Sequence, residues 1–319
     1  MENFWENKNV LITGASGFIG SWLSEELIER KAKVIAFDLR KGLLEESNNL
    51  QFVEGDLLNA KLVEEVLQER EIDSVFHLAS QSIISASIEK PFETFEANIK
   101  GTWNLLEACR KNGKIERIVL ASSGRIYCNS PDKMLSDYSK AKLNPYDCSK
   151  LCIELIGKTY ADCYGLNIGI TRCPNTFGGR DLNFERLIPS TIKKVLSGKE
   201  PVVYGERDVK RDFLYIKDTV NAYVLLAQNL EKKDVKGKTF NFSSGKTTSI
   251  KGLAEKIIEL SGKKLKPKIL KQKSISEIEI VNTDYSDAGR LLGWKPLYSL
   301  EKGLKETIDW YKGYFKKEN

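Results

Sequence analysis

The sequence predicts an α/β fold, a doubly wound parallel sheet followed by a smaller C-terminal α/β substrate unit. Three observations predict it. Short apolar runs alternate with amphipathic stretches through the first half, a glycine-rich turn follows the first run, and the alternation breaks after residue 174. The runs NVLITGA, KVIAFD, LQFVEGD, SVFHLAS and RIVLASS are rich in β-branched residues and continuous in apolar ones, as strands buried on both faces must be. Between them, SWLSEELIERK, KLVEEVLQER and NIKGTWNLLEACRKNG have helical periodicity, and the last ends on a glycine suited to a C-cap.

After LNIGITRCP the pattern becomes irregular. A glycine pair in NTFGGRD leads into a helical FERLIPSTIKKVLSG, then short strand-like pieces, TSIKGLAEKIIELSG and a helical SLEKGLKETIDWYKGYF. We read residues 1–175 as a dinucleotide-binding unit and 176–319 as a substrate-binding unit. Segments near 212–228 and 238–244, which contain the apolar DFLYI and TFNFSS, are expected to return to the first unit's sheet.

Composition narrows the chemistry. The chain of 319 residues is 41% hydrophobic and 29% charged, as in a globular protein with a sizeable core. Six cysteines form no C-x-x-C pair and His77 is the single histidine, which argues against a metal site or a Ser-His-Asp triad. The free thiols suit a reducing compartment. The net charge of +6 resides in dispersed lysines, as in EKKDVKGK and SGKKLKPKILKQK, and no nucleic-acid motif accompanies them. An anionic small substrate suits that balance. No run approaches the roughly 18 apolar residues of a membrane span and the start lacks a signal-peptide pattern, so the expected location is the cytoplasm.

The turn VLITGASGFIGSWL spaces Gly14, Gly17 and Gly20 between a strand and a helix. Glycines there let the backbone approach a pyrophosphate whose charge rests on the helix N-terminus, the Rossmann-type arrangement. The second strand ends on Asp38, where a carboxylate can hold an adenosine ribose and disfavour a 2′-phosphate. NAD is therefore expected, although Arg40 and Lys41 follow closely and could serve NADP.

A Tyr-x-x-x-Lys pair occurs three times, at Tyr138…Lys142, Tyr146…Lys150 and Tyr298…Lys302. Pro145 suits the first turn of a helix, and YDCSKLCIELIGKTYADCYG continues it, so Tyr146 and Lys150 share one face.

By GASGFIG, GDL, HLASQ, NIKGT, SS…IY, PYDCSK, RCPNTFGG, KRDFLYIKD and LLGWKP the chain resembles, nearly end to end, the extended short-chain dehydrogenase/reductases. Within them it is most similar to the nucleotide-sugar epimerases and dehydratases. The resemblance implies Ser123, Tyr146 and Lys150 as the catalytic set. It implies a cofactor set of Gly14, Ser16, Gly17, Phe18, Ile19, Gly20, Asp38, Asp56, Leu57, Leu78, Ala79, Asn98, Tyr146 and Lys150, with Asn98 acting from behind the site. Asn175 and Arg211 would meet the substrate's diphosphate, joined by Ser123, Arg186 and Arg290. A homodimer through the helix bearing Tyr146 and the one near 93–111 is also implied, using Trp103, Leu151, Ile153 and Leu155.

In this chemistry a sugar C4–H leaves as hydride while Tyr146 takes the hydroxyl proton. A phenol near pKa 10 is a poor base, and the Lys150 ammonium together with the positive nicotinamide is expected to bring it down. FWENKNVLITGASGFIGSWL and GGRDLNFERLIP resemble CDP-glucose 4,6-dehydratases. Those enzymes place Asp-Lys just after the active-site Ser or Thr, where this chain has Gly124 and Arg125, and Cys128 replaces a usual glycine. Neither Gly124 nor Arg125 can supply a base. The expected activity is an NAD-dependent nucleotide-sugar epimerase acting through a transient 4-keto sugar. The alternatives are a CDP-glucose-type 4,6-dehydratase, a simple reductase, or a non-catalytic NAD(H)-binding sensor.

Overall fold

The computed structural model describes residues 3–127, 143–204, 209–270 and 284–318. The Tyr138…Lys142 pair and Cys128 lie outside the described residues.

Strands Asn9–Thr13 (β1), Lys33–Asp38 (β2), Leu50–Glu54 (β3), Ser74–His77 (β4), Arg117–Ala121 (β5) and Ile168–Arg172 (β6) alternate with helices. The helices are Phe18–Glu29 (α1), Ala60–Glu69 (α2), Ile84–Glu89 (α3), Pro91–Phe95 (α4), Gly101–Asn112 (α5) and Pro145–Tyr164 (α6). Then follow Asn175–Phe177 (β7), Leu187–Leu196 (α7), Val202–Tyr204 (β8), Lys210–Tyr215 (β9), Ile216–Asn229 (α8) and Thr239–Asn241 (β10). Thr247–Ser249 (β11), Ile250–Leu260 (α9), Lys268–Leu270 (β12), Ser286–Leu292 (α10) and Leu300–Glu318 (α11) complete the described elements.

The main sheet has the order β10-β6-β5-β4-β1-β2-β3, and every pairing in it is parallel. Each strand sends alternate side chains to opposite faces. Leu11, Ile35, Val75 and Ile118 join Val63 of α2, Leu105 of α5 and Ile153 of α6 on one face. Val10, Ile12, Val34 and Val119 join Leu23 of α1 and Val224 of α8 on the other. Strand order reverses between β1 and β4, so the loops leaving their carboxyl ends diverge and open a crevice there.

TFNFSS forms β10, which pairs with β6 at the sheet's edge. DFLYI does not reach that sheet, contrary to expectation. As part of β9 it pairs antiparallel with β11 and parallel with β7. Apolar continuity marks a buried strand without saying which partner buries it. It is the following helix, α8, that returns, packing on α1, β5 and β6. The carboxylate of Asp218 accepts the Leu297 and Tyr298 amides at 2.8 and 3.1 Å, which ties the LLGWKP segment to the start of α8.

Among the described residues, no helix is long and apolar enough to cross a membrane, and no cluster of His, Cys, Asp and Glu could hold a metal. Of the side chains expected at a dimer face, Trp103 and Leu155 are exposed, but Leu151 and Ile153 are buried within the chain itself.

Candidate active site

A cavity of about 1380 Å³ opens at the carboxyl ends of the parallel strands and runs on between β7, α7, β8 and β9. Single-ligand pockets usually occupy roughly 300–1,000 Å³, so two ligands fit end to end. Gly14, Gly17, Asp38, Asp56 and Ala79 line one end, Ser123, Tyr146 and Lys150 the middle, and Asn175, Arg186 and Arg211 the other end.

Helix α6 carries Tyr146 and Lys150 because its start is doubly specified. The Asn144 side chain accepts the Asp147 amide at 2.9 Å and donates to the Asp147 carboxylate at 2.7 Å, and Pro145 needs no hydrogen-bond acceptor in the first turn. Ser123 lies just beyond β5, and as a hydrogen-bond partner it acts to lower the Tyr146 pKa. The Lys150 ammonium donates to the Ala121 carbonyl at 2.9 Å and lies 5.9 Å from the centre of the Tyr146 ring.

Burial pushes the Tyr146 phenol above its ordinary value. The influences that lower it are the Ser123 hydrogen bond and the charges of Arg186 and Arg125. Lys150 is itself buried, which lowers its pKa from 10.5 to about 8, and its measured contact is with Ala121.

Behind this row, Asn98 is fully buried. Its amide donates to Gln81 O at 3.0 Å and Ser149 Oγ at 2.8 Å, and it accepts the Gln81 amide at 2.7 Å. Asn98 does not line the cavity; it joins the 80–82 loop to α6 from behind. His77 is held between Thr13 and Thr102 at 2.8 Å on each ring nitrogen. Thr102 gives its own proton to Asn98 O, so Nε2 donates to Thr102 and Nδ1 accepts from Thr13. Burial lowers its pKa to about 3, which keeps it neutral.

Comparison with known proteins places this arrangement. Residues 10–242 match the model of the "NAD dependent epimerase/dehydratase family". The chain belongs to that family. Over 95% of its length it is 31% identical to a UDP-glucuronate 4-epimerase of Thermodesulfobacterium geofontis, 95% of which is covered. It is 30% identical over 96% of its length to a trifunctional UDP-glucose 4,6-dehydratase/UDP-4-keto-6-deoxy-D-glucose 3,5-epimerase/UDP-4-keto-L-rhamnose-reductase of Arabidopsis thaliana. It spans about half of that plant protein, 47%. The solved structure of UDP-glucose 4-epimerase with UDP-glucose from Thermotoga maritima superposes with a TM-score of 0.87 at 27% identity, covering 96% of this chain and 99% of that one.

The glycine loop fits the dinucleotide that the family's name implies. Gly14 has φ +71°, and a Cβ there would lie 2.6 Å from Ala79 N. A Cβ at Gly20 would lie 2.1 Å from Gly14 O. Both positions exclude side chains, leaving backbone at the floor of the cavity. Ser16 Oγ is buried without a hydrogen-bond partner, a donor of the kind a phosphate oxygen satisfies. Phe18, Ile19, Leu57 and Leu78 also line this end. The Asp38 carboxylate accepts the Ser16 and Leu39 amides at 2.9 and 2.8 Å, and burial raises its pKa.

At the other end, Asn175 Nδ2 donates to Asp212 O at 2.9 Å. Asp212 accepts from Ser243 Oγ at 2.6 Å and from the Ser244 amide at 3.1 Å, so β9 and the residues after β10 brace the stretch that presents Arg211. Arg186 spans Asp181 at 3.2 Å and Ser82 at 3.0 Å across the cavity mouth. Arg290 does not reach the cavity. Ala288 and Leu292 turn inward, and Arg290 pairs with Asp287 on the surface at 2.6 Å. Tyr298, of the third Tyr-x-x-x-Lys pair, packs against Tyr215 away from the cavity wall.

Residue patterns missed Cys173, Val202, Tyr204 and Tyr223, all of which line the cavity. Val202, Tyr204 and Tyr223 lie in a strand and a helix whose apolar pattern resembles ordinary core, and Cys173 follows β6 directly. Two buried ion pairs were also missed. Glu154 accepts Arg172 Nε at 2.6 Å and Ser122 Oγ at 2.5 Å, one turn beyond Lys150. Asp147 accepts Arg125 Nε at 3.0 Å. A charged residue on the core-facing stripe of α6 was the available signal for both.

Proposed function

We propose that the chain is an NAD-dependent nucleotide-sugar epimerase that works through a transient 4-keto sugar. The dinucleotide supplies a reversible hydride acceptor. The residues proposed to hold it are those of the glycine loop, Asp38 at the adenosine ribose, Asp56 and Leu57 near the adenine, and Ala79 and Lys150 further along. Tyr146 takes the proton of the reacting hydroxyl and later returns it, while Ser123 holds the same oxygen in line. Lys150 carries positive charge beside the pair. Arg211 and Asn175 bind the diphosphate, for which a guanidinium fork is suited. Residues 1–175 with α8 and β10 serve the cofactor, and the remainder of 176–319 serves the nucleotide sugar.

One observation favours epimerase over dehydratase. A Cβ on Gly124 would stand 3.0 Å from the Cys173 carbonyl oxygen and 3.4 Å from Pro174 Cα, so the backbone must yield before this position can carry an acid. Its neighbour Arg125 is a permanent cation tied to Asp147. Expelling a C6 hydroxyl needs a proton donor and removing the C5 proton needs a base, and neither position offers one. A homodimer through the exposed faces of α5 and α6 around Trp103 and Leu155, in a reducing cytoplasm that suits the free cysteines, completes the reading.

The test is incubation with UDP-, CDP-, GDP- and dTDP-sugars without added cofactor, followed by NMR of the products. A ring-carbon epimer is expected. A 4-keto-6-deoxy product would refute the reading, turnover only with added NADH or NADPH would indicate a reductase, and NAD binding without any turnover would indicate a sensor. Tyr146→Phe should abolish turnover while Tyr298→Phe leaves it intact.

A further inference from the structure

We propose that Arg125 receives a carboxylate on the sugar ring, so that the preferred substrate is a nucleotide-linked uronate. This rests on the nucleotide-sugar reading above and names the sugar class.

The placement of Arg125 carries the inference. Its backbone amide donates to Ser123 Oγ at 3.2 Å, and its side chain reaches the residue that follows Tyr146. It therefore flanks the two hydroxyls between which the reacting sugar oxygen would sit. The Arg125–Asp147 pair is also polarised. The Asp147 side chain is 1% exposed and absent from the cavity wall, whereas Arg125 is 20% exposed and on that wall. The cavity thus faces the cation and the protein interior holds the anion.

Among the described residues only Nε of this guanidinium has a partner. Holding Nε on Asp147 fixes the plane of the fork and leaves both terminal nitrogens as paired donors. Two parallel N–H groups match the two oxygens of a carboxylate, while a single hydroxyl can use only one of them. The Arg125 and Arg186 charges both act on the Tyr146 phenol, which places two cations around the sugar position. Arg186 is already matched by Asp181 at 3.2 Å, a residue of the same wall. Glu93 and Glu185 also line the cavity, from α4 and from the loop before α7. The carboxylate partner of Arg125 is withdrawn from the wall, so Arg125 presents its charge to an incoming anion there.

UDP-glucose and UDP-glucuronate differ at C6 alone and make the direct probe. Binding to the NAD-loaded protein by calorimetry and turnover by NMR are measured for both sugars. The wild-type chain should favour the glucuronate by roughly 100-fold, the scale of one bidentate charge-assisted contact. Arg125→Met should erase that ratio, and Arg125→Lys, which keeps the charge and loses the fork, should reduce it about tenfold. Because Arg125→Met strands a buried carboxylate, the double variant Arg125→Met/Asp147→Asn is the partner measurement: it removes both charges and should show the same loss of preference. Equal or better handling of UDP-glucose by the wild type, or a preference that survives in the double variant, overturns the proposal. Epimerised UDP-glucose without a glucuronate preference would remove this inference and leave the epimerase standing. A binding preference without any epimer would do the reverse.

Discussion

Replacing Lys150 by methionine separates what this side chain costs the fold from what it gives the site. Lys150 is 3% exposed, and burial lowers its pKa from 10.5 to about 8, with the charge of Glu154 offsetting part of that effect. Each pKa unit is 1.36 kcal/mol, so keeping the ammonium charged in the folded state costs about 3 kcal/mol at neutral pH. The sign follows from proton counts. The folded pKa lies below the unfolded one, so between pH 8 and pH 10.5 the unfolded chain binds more protons and wild-type stability rises with pH. Below that window the cost is present in full. Methionine has no proton to lose, and the other titrating groups are common to both proteins. The hydrogen bond to Ala121 O is open to either protonation state of the folded chain, because a neutral amine still donates. Urea unfolding followed by tryptophan fluorescence should therefore show the stability of Lys150→Met relative to wild type falling by about 3 kcal/mol from neutral pH to about pH 10.5. Turnover should drop by about two orders of magnitude or more. Stability curves that run parallel across the window would refute the argument from burial.

Two further substitutions address the cavity floor and the reaction outcome. Gly20→Ala puts a Cβ 2.1 Å from Gly14 O, so the loop must open. NAD affinity by calorimetry should fall below detection, with a stability loss of about 1–3 kcal/mol from overpacking. Gly124→Asp, which installs an acid at the dehydratase position, meets the Cys173 carbonyl at 3.0 Å. It should destabilise by about 1–3 kcal/mol in the same urea assay and yield no 4-keto-6-deoxy sugar by NMR.

The parts of this protein that were legible in the sequence are those set by neighbours along the chain. Glycines at 14, 17 and 20 report a close backbone approach, because any other side chain would meet the loop itself. Pro145 reports a helix start, which puts Tyr146 and Lys150 one turn apart. Continuous apolar runs report strands, and the five runs read that way, β1 to β5, all lie in the parallel sheet. The misplacements share a cause. DFLYI joins a sheet other than the expected one, Arg290 does not line the cavity, and Leu151 and Ile153 are buried within the chain rather than on an exposed face. Each has the right residue types, and each assignment depended on which surface packs against it.

The sequence by itself determined the fold class and the glycine loop, because backbone sterics and helical periodicity act over a few residues, while the Ser123, Tyr146 and Lys150 row came from the family resemblance. Only the tertiary structure decided that Lys150 donates to Ala121 O, that a Cβ at Gly124 would press on the Cys173 carbonyl, and that Arg125 lines the cavity with Asp147 behind it. Those facts arise where β5, α6 and the residues after β6 meet. Burial and charge at such a junction come from groups far apart in the chain, and no local pattern encodes them.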